Sequence, residues 1–135
     1  MSRVYVLASD RELPLQDCQE LRTQESGGYS ITLLQGFKVD RLDYYHQAVE
    51  ELGYTMKPFR YEFTLEKEEA DLKNLQAYLT ENFSQGESLE LWSVWVHDDV
   101  NKKCPPRFRG RLKDLDMDAL EQFLTAQELC FTITV

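Results

Sequence analysis

The sequence predicts an α+β domain of two layers, a mixed β-sheet of about five strands carrying three helices. Three observations lead there. Ser88 to Val96, Ser-Leu-Glu-Leu-Trp-Ser-Val-Trp-Val, holds both tryptophans and is apolar at odd and even positions alike, the composition of an interior strand covered on both faces. Phe59 to Leu65 alternates, with Phe59, Tyr61, Phe63 and Leu65 against Arg60, Glu62 and Thr64, and Leu129 to Val135 alternates in the same way, the period of strands with one buried face. Glu66 to Phe83 and Leu115 to Ala126 instead space their apolar residues by three and four, as Leu72, Leu75, Leu79, Phe83 and as Met117, Leu120, Phe123, Leu124. That is the stripe of a helix lying on a sheet.

Taken in order, Arg3 to Ala8 reads as a strand of β-branched and aromatic residues ended by Ser9-Asp10. Leu13-Pro14 stops any early helix, Gln16 to Arg22 has room for two helical turns, Gly27-Gly28 marks a loop, and Tyr29 to Gln35 reads as a short strand closed by Gly36. Asp40 to Leu52 is expected to be helical, with Asp40 as N-cap, Leu42, Tyr45, Val49 and Leu52 as its stripe, and Gly53 at the left-handed position after its end. The acids Glu66, Glu68, Glu69 and Asp71 then read as a solvated helix start favoured by the dipole. Asp116 is the expected cap of the last helix.

From about residue 57 the order strand, helix, strand, strand, helix, strand matches a ferredoxin-like βαββαβ core, with the earlier residues as an N-terminal extension. That topology would put Arg107 to Leu112 in mid-sheet. The segment follows two prolines, contains Gly110 and is loaded with arginine, which are features of a sheet edge. The arrangement favoured is therefore one in which Ser88 to Val96 is central, the basic segment lies at the rim and Arg3 to Ala8 supplies an extra neighbour. No repeat or linker divides residues 1–135, so one domain is expected.

A chain of 135 residues with two Trp, seven Tyr and seven Phe can bury a core without staples. No stretch has the roughly 20 apolar residues of a membrane span or the core of a signal peptide, which predicts a cytoplasmic protein with no membrane partner. Cys18, Cys104 and Cys130 are odd in number and match no metal or redox spacing, as expected of reduced thiols. A net charge of −9 makes nucleic acid an unfavourable partner. Phosphate-cradling glycine motifs, C-x-x-C, H-E-x-x-H and G-x-S-x-G are all missing, so no cofactor, metal or catalytic residue is expected.

Two places carry candidate chemistry. If Arg3 to Ala8 and Ser88 to Val96 ran parallel as neighbours, Asp10 would meet His97, Asp98 and Asp99 at one sheet edge, where three carboxylates and an imidazole could hold a divalent cation or act as acid and base. The plainer reading is two turns rich in Asp. The other place is Lys102 to Lys113, six bases and no acid. Extended, it would project Arg107, Arg109 and Arg111 from one side, a row suited to phosphates or carboxylates; the plainer reading is a cationic edge that blocks aggregation and pairs within the molecule. His46 reads as a boundary histidine at the rim of its helix's stripe. The expectation is a non-catalytic binding or interaction module with a protein partner or self-association. The alternative is a small enzyme or a ligand or metal sensor at Asp10, His97 and Asp98, and the third reading is phosphate or nucleic-acid binding through the basic segment.

Overall fold

The computed structural model describes residues 2–96 and 104–135. Its strands are β1 (Ser2–Ser9), β2 (Gln16–Asp17), β3 (Glu20–Ser26), β4 (Tyr29–Gln35), β5 (Lys38–Arg41), β6 (Phe59–Thr64), β7 (Ser88–Val96), β8 (Arg107–Arg111) and β9 (Leu129–Thr134). Its helices are α1 (His46–Glu51), α2 (Glu69–Asn82) and α3 (Met117–Thr125). Seven strands form one sheet in the order β2-β5-β6-β1-β7-β9-β8, and β3 and β4 form a separate hairpin. Among the described residues only β8 and β9 run parallel; every other pair is antiparallel. The sheet is thus mixed as expected but wider than five strands. The ferredoxin-like order is not seen, because β1 inserts between β6 and β7 and leaves β8 at the rim.

The tryptophan strand is interior, between β1 and β9, and its two faces feed two cores. Leu89 and Leu91 join Leu7, Phe63, Leu129 and Ile133 under Leu72, Leu75, Tyr78 and Leu79 of α2 and Leu120 and Phe123 of α3. Trp92, Val94 and Val96 join Val4, Val6 and Cys130 under Leu42, Val49 and Met56. Cover therefore lies on both faces, where two layers were expected. On the second face it is thin: α1 and the chain on either side of it.

Helix assignments held where the stripe was long. Asp116 caps α3 by accepting the Ala119 N–H at 2.9 Å. Gly53, at φ 71°, follows α1 and donates to the Glu50 carbonyl. Asp40 is not a cap, however. Lys38 to Arg41 pairs with Thr64 to Tyr61, and α1 starts only at His46. The satisfaction of four residues' backbone groups by β6 outweighs a helical start with one cap. Asp71 is also not solvated: fully buried, it takes both guanidinium nitrogens of Arg22 at 2.6 and 3.1 Å and the Glu66 N–H at 2.8 Å.

Gln16 to Arg22 is extended rather than helical, because β3 pairs residue for residue with β4, from Glu20 opposite Gln35 to Ser26 opposite Tyr29. Gly27 and Gly28, at φ 58° and 85°, supply the two positive-φ positions of a type I′ turn, the two-residue connection whose twist suits a hairpin. At the hairpin's root Gly36 lies where a Cβ would stand 3.0 Å from the Cys18 carbonyl oxygen and the Gln19 Cα, so the two chains cross in a space only glycine fits.

Stability should follow the cores. Leu91→Ala should lower the urea-unfolding free energy by about 2–5 kcal/mol, whereas Leu34→Ala, on the exposed hairpin, should stay within about 0.5 kcal/mol. Equal losses would contradict the burial assigned to β7.

Candidate functional site

The expected cluster of acids depended on β1 and β7 running parallel. They are antiparallel, with Ser2 opposite Val96 and Ala8 opposite Glu90. α2 joins β6 and β7 as parallel strands on either side of β1, which pairs antiparallel with both, and the pairing places Val96 at the Ser2 end of β1, away from Asp10. Asp10 itself is exposed and held by Lys57 Nζ at 2.5 Å. His97, Asp98 and Asp99 lie outside the described residues. Among the described residues no group of three His, Cys, Asp or Glu side chains is placed to hold a metal. His46 is exposed at the start of α1, not seated at a core boundary.

The basic segment does form a strand at the sheet's rim, and all five residues of β8 are exposed. Its three arginines are not equivalent. Arg107 turns inward: Nη1 donates to Glu90 Oε2 at 2.8 Å, Nη2 donates to the Thr55 carbonyl at 3.2 Å, and the guanidinium sits 5.1 Å from the Trp92 ring centroid. Arg109 and Arg111 make no ion pair among the described residues. The row of three expected from the sequence is therefore one structural arginine and two uncommitted ones.

Glu90 is the residue that sequence reasoning passed over. Buried in β7, its carboxylate accepts from the Lys57 backbone N–H at 2.9 Å, the Trp92 indole N–H at 3.2 Å and Arg107. A buried carboxylate is costly unless its lone pairs are filled, and these donors fill them from three directions. The signal was present as one acid in a run of otherwise uncharged residues. Tyr54 stacks on Trp92 with centroids 5.9 Å apart, so one cluster ties β7, β8 and the chain after α1 together. It fixes β8 in place without covering its outer edge.

That edge has two chemically distinct flanks. The Cys130 N–H donates to the Pro106 carbonyl at 2.9 Å. By the alternation of a parallel ladder, Phe108 and Gly110 also turn their backbone groups toward β9, while those of Arg107, Arg109 and Arg111 point outward. Phe108, on the opposite flank from the arginines, packs edge-on against Phe131 at 5.8 Å. It also lines a cleft of about 240 Å³ together with Leu115, Ala119 and Gln122, and Arg109 and Arg111 form part of the same wall. The rim thus offers outward N–H and C=O groups, two guanidinium groups with no ion pair among the described residues, and beside Phe108 a largely apolar cleft whose wall includes both arginines.

Burial pushes the Cys130 thiol up to about 12 against the opposing pull of the Arg107 charge, which keeps it protonated and unreactive at neutral pH. In native protein a thiol-reactive disulfide reagent should therefore label exposed Cys104 first and partly buried Cys18 more slowly. Cys130 should react only after unfolding; labelling at the Cys104 rate would show that the Glu90 cluster does not close over it. Comparison of the chain with known protein families, with curated proteins and with solved structures finds no match.

Proposed function

We propose that the protein is a non-catalytic binding module of the cytoplasm that docks an extended, acidic segment of a partner protein along β8. The segment would add as an eighth strand. Strand addition draws affinity from main-chain hydrogen bonds and specificity from the alternate side chains. Here, side chains on one flank would meet Arg109 and Arg111, so carboxylates are favoured there, and those on the other would enter the cleft beside Phe108, so apolar residues are favoured there.

The observation that carries this reading is the exposed rim, where Arg109 and Arg111 have no acid partner among the described residues in a chain of net charge −9. In such a chain most of the surface repels an acidic segment, and a local basic rim directs it to one place. The same balance makes the nucleic-acid reading weaker, since two free guanidinium groups release few counterions. The enzyme or sensor reading assumed a parallel pairing of β1 and β7, which run antiparallel, so it is not the reading favoured.

A fluorescent peptide alternating glutamate with valine should bind the full chain and shift backbone amide resonances mainly within residues 107–111 and in the first turns of α3. The double variant R109E/R111E should weaken binding about tenfold or more, and a peptide with lysine in place of glutamate should bind far less. Equal affinity for both peptides, or an unchanged affinity in the variant, would overturn the proposal.

A further inference from the structure

The hairpin β3–β4 stands outside the main sheet with both of its edges unpaired among the described residues. A two-stranded ribbon is marginal in water on its own, yet this one exposes Leu21, Tyr29, Ile31, Leu33 and Leu34 at 74, 78, 53, 44 and 59 %. By strand alternation Tyr29, Ile31 and Leu33 lie on one face of the ribbon and the register partners Leu21 and Leu34 on the other, and exposed apolar residues grouped in this way mark an interaction site. The ribbon is aimed as well as exposed. Arg22, held by buried Asp71 through two hydrogen bonds, clamps its root to the start of α2.

The two edges differ. β3 carries Glu20, Arg22 and Glu25, charges of the kind that protect an open edge. β4, Tyr-Ser-Ile-Thr-Leu-Leu-Gln, carries none, and no charge occurs anywhere from Ser26 to Phe37. Two copies of a chain with net charge −9 repel each other over most of their surface, and this uncharged stretch is where a copy meets least opposition.

We infer that the β4 edge is a self-association surface, joining two copies of this chain into an antiparallel four-stranded sheet about a two-fold axis at Thr32. The backbone supports that register. Ser26 and Tyr29 close the turn as a hydrogen-bonded pair, so by alternation Tyr29, Ile31 and Leu33 bond to β3 and Ser30, Thr32 and Leu34 turn their N–H and C=O groups to the free edge. An axis at Thr32 sets Thr32 opposite its own copy and Ser30 opposite Leu34, all with outward groups. It also sets Ile31 opposite Leu33, which gathers Tyr29, Ile31 and Leu33 of both chains on one face. The interface is isologous, so it closes as a dimer rather than growing into a filament.

Sedimentation of the full chain across the micromolar range should show a reversible dimer. Because like charges directly opposite each other oppose pairing, T32K alone and T32E alone should each weaken the dimer about tenfold or more. An equal mixture of the two should restore it as a heterodimer, which also shows that both variants are folded. Wild-type protein that stays monomeric throughout would overturn the inference and leave the arm to a different partner. A T32K protein that dimerises normally, or a mixture that gains nothing over its components, would overturn it as well.

Discussion

A strand that is apolar on both faces cannot lie on the surface of anything, and β7 imposes that condition on the whole chain. Leu89 and Leu91 require the α2 and α3 layer; Trp92, Val94 and Val96 require a second cover, which α1 and its flanking chain provide. Interior position also requires a hydrogen-bonded neighbour at each side, so β1 and β9 are drawn in from the two ends of the sequence. Burying a side chain of leucine size is worth about 1.5–3 kcal/mol, and five buried apolar positions on one strand dominate any local preference elsewhere. The thin cover on the Trp92 face explains Glu90 and Arg107: where apolar cover runs out, a carboxylate, a guanidinium and two aromatic rings close the gap.

Elements whose residues satisfy their own period were legible in the sequence. β6, β7, β9, α2 and α3 follow from alternation or from a three-and-four stripe, and the rim position of β8 follows from Arg107, Gly110 and the prolines before it. The segment from residue 10 to residue 45 was less legible because its structure is decided by pairing at a distance. Asp40 has the residue type of a cap, but β6 lies beside it. Gln16 to Arg22 could turn helically, but β4 offers a complete ladder. The number of strands was underestimated for the same reason: β2, β3 and β5 are short or polar and have no signal apart from their partners.

The candidate sites divide along the same line. Convergence of Asp10 with His97, Asp98 and Asp99 needed a strand direction, which composition does not carry, and β1 and β7 took the antiparallel one. The arginine row needed only the two-residue period, and β8 shows it, although the sequence could not tell that Arg107 would be taken by Glu90 on the neighbouring core strand. Among the described residues the edges of β8 and β4 are of opposite character. The first is basic and bordered by a largely apolar cleft; the second carries no charge.

The account rests on β7 being the least accessible element of the sheet, and amide hydrogen exchange tests that directly. The amides of Leu89 to Val96 should exchange only through global unfolding, with protection that falls in step with denaturant-measured stability, while those at the hairpin tip exchange through local opening. Exchange from β7 as fast as from β8, or protection that does not follow global stability, would contradict it.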